Sequence, residues 1–444
     1  MHRNSLFFVG TQQEIAHHAR PLMSRLPLQV VPPEEVTSIA QPGDVAVFYS
    51  EHFDRFRHAI MTLKQNQVAT LYMIDGILEW RNAWENRDDE PACPFTMRPV
   101  LSHKVACIGS SQARILAAWG NQPKIEITGV PRFDHLIPSP MILPRDQNIF
   151  RVLIVTAKVP GFTPIQVART RQSLFDLKHW FDRNKEKQFS GRKIEFHWRL
   201  TTGLERDLQI ENQLGDFSGS DLFQQLQTVD AMIATHSTAM LEGMLAGLPV
   251  ACLDYQRCPN YLETAWTITQ AEMITEVMEE LVHPPESKMF FQRMQLEDAL
   301  AFAPATQRTT TATDRLTTLI QSMQRLAVQC IEAEKELHFP PRLLAADEPA
   351  MNALPARIDH QAVFPKFPEF QFDDKVELQS ELAHARREIA HLNRVLSQKQ
   401  AELDLAHSIF AQIHSHPVAG PIVRLRQRFL DWFNRNQPCQ ESSP

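Results

Sequence analysis

Short apolar runs that stop at glycine or Asp-Gly, each followed by a stretch of helical period, constrain this chain more than any other feature. Leu6 to Val9 ends at Gly10-Thr11, Asp44 to Ser50 precedes a helical stretch from Phe53 to Asn66, and Val68 to Ile74 ends at Asp75-Gly76. Val105 to Ile108 leads through a helix over Ser110 to Trp119 into Lys124 to Thr128, which stops at Gly129-Val130-Pro131. Runs this short and this apolar are buried strands, and the helices between them are crossovers, so the sheet is parallel and doubly wound. Such a sheet binds ligands beyond the carboxyl ends of its strands, which puts Gly10, Asp75 and Gly129 at the rim of a site.

Pro138, Pro140 and Pro144 interrupt the pattern, and Arg151 to Ala157 begins it again. A helix over Pro164 to Lys187, strands over Lys193 to Trp198, Val229 to Ala234 and Pro249 to Leu253, and a helix from Thr238 repeat the alternation. The expected fold is therefore α/β with two tandem Rossmann-like domains, residues 1–140 and 150–337. Helices over Gln270 to His283, Glu286 to Phe302 and Ala312 to Leu337 close the second. A chain of 444 residues is long enough for two or three domains. Glycine follows the same division: 13 of its 14 occurrences lie between Gly10 and Gly247, so ligand-lining turns are expected there and helices or linkers beyond.

Residues 338–372 carry six prolines and no period, and read as a linker. Leu382, Ile389, Leu396, Leu403 and Phe410 then recur every seven residues, with Leu378, Ala385, Leu392, Lys399, Ala406 and Ile413 in the complementary register. This predicts a coiled coil over 374–415, weakened by Lys399, and with it a homo-oligomer. The alternative is one amphipathic helix folded back on the body. Residues 421–435 form a basic amphipathic helix with Ile422, Leu425, Phe429, Trp432 and Phe433 among four arginines. Peripheral contact with an anionic membrane, or with a partner protein, is expected of it.

Composition removes several function classes. A net charge of −7 gives no general basic character, so no nucleic-acid partner is expected. The six cysteines are scattered, without paired ligand spacing, which suits reduced thiols in a cytoplasmic protein. No stretch approaches 18 uncharged apolar residues, so no membrane span is expected.

The densest candidate site is Thr235-His236-Ser237-Thr238, delivered by a buried strand to the start of a helix. Free N–H groups and the dipole attract anions at such a start, and two hydroxyls can add hydrogen bonds to a phosphate. Ordinary helix capping competes for those hydroxyls. Glu242 lies one turn beyond Thr238 and is the only charge between Asp230 and Asp254. It fits no capping box, because Ala239 stands three residues before it. The spacing suits a diphosphate at the helix end and a ribose on the carboxylate, while Gly243 and Gly247 allow the helix to pack on the sheet.

The Ser237-Thr238…Glu242…Gly247-x-Pro249-Val250 pattern resembles the donor-binding segment of GT-B glycosyltransferases. Ile127-Thr128-Gly129-Val130-Pro131-Arg132-Phe133-Asp134 is similar to the element that closes the first domain in these families and in the related sugar-nucleotide 2-epimerases. The resemblance spans roughly residues 1–335. It implies a nucleotide-sugar donor in the cleft between the domains, with His236, Ser237 and Thr238 near the diphosphate and Glu242 near the ribose. Arg199 looks like the basic residue set against the leaving diphosphate, with only one of His197 and Arg199 expected to reach the cleft. Gly161 and Gly10 are the glycines expected to admit backbone close to the ligand. A general base from the first domain is expected at Asp75, with Glu79 in reserve; capping by Asp75 is the competing reading.

The chain has no Asp-x-Asp, so a metal-dependent GT-A type is not expected, and no metal or cofactor beyond the nucleotide-sugar substrate is implied. The paired glycines and consecutive glutamates of the epimerases are missing from the helix start. His17, His18, His414 and His416 read as surface residues. The resemblance implies a metal-independent glycosyltransferase, cytoplasmic or peripheral at the inner membrane face, acting on a glycan or lipid-linked acceptor in bacterial surface-polysaccharide or glycoconjugate synthesis. A 2-epimerase, a polyol-phosphate transferase such as one for glycerol phosphate, and a non-catalytic transferase-like scaffold are the alternatives.

Overall fold

The computed structural model describes residues 4–79, 97–136, 148–161, 163–201, 203–210, 222–256, 260–302 and 310–344, together with 389, 392–405, 407–409 and a few single positions of the tail. Contacts divide the chain into two compact units, Met1–Pro368 and Glu369–Pro444.

The first sheet is built from β1 (Leu6–Val9), β2 (Leu28–Val31), β3 (Val45–Phe48), β4 (Ala69–Met73), β5 (Lys104–Cys107) and β6 (Ile125–Ile127). Its order is β2-β1-β3-β4-β5-β6 and every pairing is parallel. Helices α1 (Gln12–His18), α2 (Arg20–Met23), α3 (Pro33–Ile39), α4 (Asp54–Gln65) and α5 (Ser110–Leu116) connect the strands. Strands β1, β3, β4 and β5 are buried at every position, as continuous apolar runs require. Sequence reasoning missed β2, an edge strand between Pro27 and Pro32 that buries only Val31 fully and so lacks the apolar run.

The second sheet holds β7 (Ile149–Val155), β8 (Gln188–Phe189), β9 (Arg192–Arg199), β10 (Ala231–Ala234), β11 (Val250–Leu253) and β12 (Trp266–Ile268), in the order β12-β11-β10-β7-β9-β8. Only β8 is antiparallel. Its helices are α6 (Pro164–Asn184), α7 (Leu204–Asp207), α8 (Leu222–Leu226), α9 (Ala239–Leu245), α10 (Ile274–Val282) and α11 (Glu286–Ala299). Helix α12 (Ala312–Glu332), read from the sequence as closing this domain, packs instead on the first sheet, with Leu316, Leu319, Ile320 and Met323 in the first-domain core. Leaving out β8, the second sheet repeats the order of the first, with its opening strand between the second and third. The fold is α/β, two Rossmann-like domains in tandem. Each sheet has its topological switch point beside its opening strand, between β1 and β3 and between β7 and β10.

The halves are joined by a continuous apolar cluster running from Val105, Cys107 and Ile127 through Leu300 and Ala301 to Met240, Leu241 and Val250. Backbone meets backbone at this seam. Ala301 N–H donates to Ile108 O at 2.8 Å, and a Cβ on Gly109 or Gly129 would stand 2.3 Å from Ala299 O or 2.5 Å from Ala301 O. After α11 the chain returns to the first sheet, where Asp134 caps α12 by accepting from the Ala312 and Thr313 N–H groups at 3.0 and 2.8 Å.

Two expectations need correction. The start of the linker is packed structure: Leu337, Phe339 and Leu344 are buried in the first-domain core. The fully buried Lys104 Nζ donates to Pro340 O, Pro341 O and Glu126, and Glu126 accepts from the Leu343 and Leu344 N–H groups. Prolines kept this segment from showing a period, yet their carbonyls are acceptors that a buried cation can use. On β9, Glu195, His197 and Arg199 share one partly exposed face, because side chains two apart on a strand point the same way.

The described tail residues, including 392–405, are helical and exposed, with Ile389, Leu392, Leu396 and Leu403 among the exposed apolar side chains. The remainder of 374–415, nearly all of 421–435, and residues 345–372 lie outside the described residues.

Candidate active-site cleft

At the first switch point, Thr11 caps α1 in a capping box with Glu14, whose Oε2 accepts from the Thr11 N–H at 2.7 Å. The box fixes the start of α1 directly beyond β1. Gly10 is required there, since a Cβ would lie 3.0 Å from Glu14 Oε2 and 3.1 Å from the Tyr49 ring. Tyr49, which follows β3, donates its hydroxyl to Glu14 Oε1. Burial and the hydrogen bond to Glu14 raise the Tyr49 phenol well above its ordinary range, so it stays protonated.

About two turns along, α1 ends on His17 and His18. The His18 ring stacks on Tyr49 with centroids 4.9 Å apart and its Nδ1–H donates to the Asp75 carboxylate beyond β4. Burial pushes the Asp75 pKa upward, but the His18 hydrogen bond and the charges of His18, Arg132 and His17 outweigh it and hold the carboxyl at about 2. Asp75 is thus the ionised partner of an imidazole, where the sequence suggested a base acting alone. His18, read as a surface residue, is half-buried at the heart of the site. Its position on the first helix after the opening strand was the available signal.

His17, His18 and Asp75 present ligand atoms within 4.8 Å of one another, a spacing that a metal ion could use. Burial, followed by the positive charges of Lys158, His18 and Arg132, drives the His17 pKa down to about 4.

Arg132, on the turn Pro131–Phe133, joins the two domains. Its Nη1 lies 3.4 Å from Glu242 Oε1 on α9 and its Nη2 3.4 Å from the Asp75 backbone carbonyl, while the guanidinium sits 4.6 Å from the Phe133 ring. Thr238 Oγ1 accepts from the Ile77 N–H at 3.2 Å and fills the space beside Gly76, where a Cβ would be 2.2 Å away. Thr238 and Glu242, two of the expected donor ligands, therefore hold first-domain groups in this structure. Ser237 Oγ is buried and has no hydrogen-bond partner.

The other candidates divide between packing and a second hollow. His236 and Glu79 line a polar pocket at the β7/β10 switch point with Thr235, Asp254 and Gln256. Glu79 bridges to Asn260 of the second domain, away from the Asp75 pair. His236 Nε2 is 4.0 Å from Asp254 Oδ2. Arg199 ends β9, two strands from β10 across β7, so its Cα stands about 10 Å from that of the Thr235 strand end. Gly161 is closed to a ligand on its Cβ side: a Cβ would meet Gln166 Cβ and Val167 N at 2.6 Å, so it serves the close approach of α6. Gly243 packs against Met232 and Val250 as expected, and Gly247 takes a left-handed φ of +75° just past α9.

No protein-family profile matches the chain, and no curated protein matches it. Among solved structures it is similar to the wall teichoic acid polymerase TagF, at 11% identity over 74% of this chain and 89% of that one, with a TM-score of 0.47. It is also similar to the UDP-GlcNAc 2-epimerase of Methanocaldococcus jannaschii, solved with UDP-GlcNAc and UDP, at 11% identity, 70% and 82% coverage and a TM-score of 0.43. Anabaena HepE in complex with UDP is a third, at 13% identity, 74% and 100% coverage and a TM-score of 0.39. Likenesses this distant assign no substrate and no residue role. The class defined by the chain's own topology is the two-Rossmann GT-B arrangement, with strand carboxyl ends from both sheets meeting at Asp75–Ile77 and Thr238–Glu242.

Proposed function

We propose that the chain is a metal-independent transferase that takes a sugar from a nucleotide-sugar donor held on the second domain and gives it to an acceptor hydroxyl at the first. The His18–Asp75 pair carries this reading. With Nδ1 committed to Asp75, His18 Nε2 is the nitrogen that takes the acceptor's proton, and the ionised Asp75 stabilises the imidazolium that forms. As that proton leaves, the acceptor oxygen bonds to the anomeric carbon. The bond from that carbon to the diphosphate breaks, nucleoside diphosphate departs, and His18 returns its proton to solvent.

Glu242 is the ribose ligand and Ser237 and Thr238 the diphosphate ligands in this proposal, with Arg199 reaching the same charge across β7 and His236 lining the adjoining pocket. Donor entry then requires the Thr238–Ile77 and Arg132–Glu242 contacts to open. Purified protein offered UDP-, GDP-, CDP- and CMP-linked sugars should release the nucleotide from at least one. If none is hydrolysed or transferred, and none raises the melting temperature, the transferase reading fails.

A second reading, transfer of a polyol phosphate from a CDP-linked polyol, is favoured by the cations Arg132 and Lys158 close to His17 and His18. Cations beside the base suit attack on phosphorus better than attack on carbon. A CDP-polyol in the same panel separates the two by the product formed.

The tail is proposed to self-associate through 374–415, its exposed Leu392, Leu396 and Leu403 meeting those of a second copy, and to touch an anionic membrane through 421–435. Among the described residues no helix is long and apolar enough to cross a membrane. A cytoplasmic setting and a glycan or lipid-linked acceptor of surface-polysaccharide synthesis complete the proposal. Light scattering of the Leu396→Glu/Leu403→Glu chain should report a smaller species than wild type; an unchanged mass refutes the coiled coil.

A further inference from the structure

We infer that Arg132 is a first-domain ligand for the donor's diphosphate, exchanging Glu242 for a phosphate oxygen when the donor's ribose takes Glu242. The inference rests on the donor reading above and adds to it a residue from the opposite domain.

The guanidinium is poorly satisfied where it stands. Its contacts to Glu242 and to the Asp75 carbonyl are each 3.4 Å, well beyond the 2.7–2.9 Å that charged N–H···O⁻ pairs prefer. Its Nε is buried with no hydrogen-bond partner. The side chain is only 17% accessible and lies along the Phe133 ring, so it cannot turn out to water to complete its five donors. Such a group has donor capacity for a further acceptor.

The surroundings identify that acceptor as an anion. Lys158, on the segment after β7, acts on the same neighbourhood as Arg132: burial first, and then these cations, disfavour protonation of His17. Asp75, the nearest carboxylate on the first-domain wall, turns its charge to His18 and offers Arg132 only its backbone oxygen. On the second-domain wall the unpartnered Ser237 Oγ precedes Thr238, the residue already in contact with Gly76–Ile77. A diphosphate between these walls would satisfy Ser237 and Arg132 together. Glu242 would then keep a neutral partner, the ribose, in place of a cation. Donor binding then exchanges one contact between the domains for another, because the residue that holds Glu242 also grips the ligand.

Calorimetric titration of the full chain with UDP, CDP and GDP, each against its own nucleoside, tests the exchange in wild type, Arg132→Gln and Arg132→Lys. Arg132→Gln should lose at least tenfold in affinity for the diphosphate that wild type binds. Its affinity for the matching nucleoside should hold or rise, since the Arg132 contact no longer competes for Glu242. Arg132→Lys should recover part of the diphosphate affinity. Equal losses for diphosphate and nucleoside would mark Arg132 as a structural residue, and an unchanged diphosphate affinity would remove it from the site; either overturns the inference while leaving the donor reading intact. Wild type that binds no diphosphate and no nucleoside overturns the donor reading and this exchange with it.

Discussion

His18 and Asp75, 57 residues apart, meet through Nδ1 and a carboxylate oxygen at the carboxyl edge of the first sheet. The pairing fixes which imidazole nitrogen is free, and so which one does proton transfer. His18→Ala is expected to lower turnover by about 10²–10⁴-fold. Asp75→Asn should approach the same loss, because an amide at that position can donate to Nδ1 and select the wrong tautomer. Circular-dichroism melting should show both variants folded. Turnover within threefold of wild type in either would end the role assigned to the pair.

The seam glycines separate by what they touch. Gly109→Ala sets a Cβ against the Ala299 backbone and should cost about 3 kcal/mol, the upper part of the overpacking range. Gly76→Ala meets only the Thr238 side chain, so its smaller loss should be largely relieved in Gly76→Ala/Thr238→Ala. Urea denaturation of wild type, the three single variants and the two double variants with Thr238→Ala checks this. Equal rescue of Gly109→Ala by Thr238→Ala would contradict the geometry.

Lys104 and Glu126 form a fully buried pair whose remaining hydrogen bonds all go to the backbone around residues 123 and 340–344. Lys104→Met strands a buried carboxylate and three proline carbonyls, and is expected to destabilise by about 3–5 kcal/mol. Limited proteolysis should then cleave near residues 337–344, which wild type protects. Resistance equal to wild type would show that the apolar anchors Leu337, Phe339 and Leu344 suffice.

His103 supplies a pH dependence whose sign follows from its hydrogen bonds. Its Nδ1 accepts from the Thr70 N–H at 3.1 Å, and burial, followed by the charges of Lys64 and Lys124, drives its pKa down to about 3. Below an unfolded pKa of about 6.5 the unfolded chain takes a proton that the folded chain refuses. Stability is therefore full above that pH and is lost as the pH falls from about 6.5 toward 3. His103→Asn keeps an acceptor near the Nδ1 position and cannot protonate, so its urea midpoint should fall less than that of wild type between pH 6.5 and 4.5. Parallel curves would remove His103 from the titration.

Much of the architecture was legible in the residue order. Continuous apolar runs named most of the central strands, and the turn at Asp75-Gly76 lay where the alternation required. What failed did so for physical reasons. Strand β2 carries no apolar run because an edge strand half-faces solvent. Residues 338–344 have no period because an irregular segment is held by carbonyls on a buried lysine. His18 and Arg132 escaped because one residue's chemistry depends on a partner brought from 57 residues away and the other's on a partner 110 away.

The glycines show the division most plainly. That 13 of the 14 lie at or before Gly247 is a property of the sequence, but it does not mark the end of the α/β body, since β11 and β12 follow Gly247 and the packed core runs on to Leu344. Gly76, Gly109 and Gly129 do mark strand ends, but tertiary structure decided that their missing Cβ atoms admit Thr238, Ala299 and Ala301 of the second half. Local order along the chain is set by short-range sterics and burial period, which the sequence carries in full. Which polar groups end up facing one another across a seam is settled only when two sheets pack, since that is fixed by the fit of surfaces drawn from distant segments.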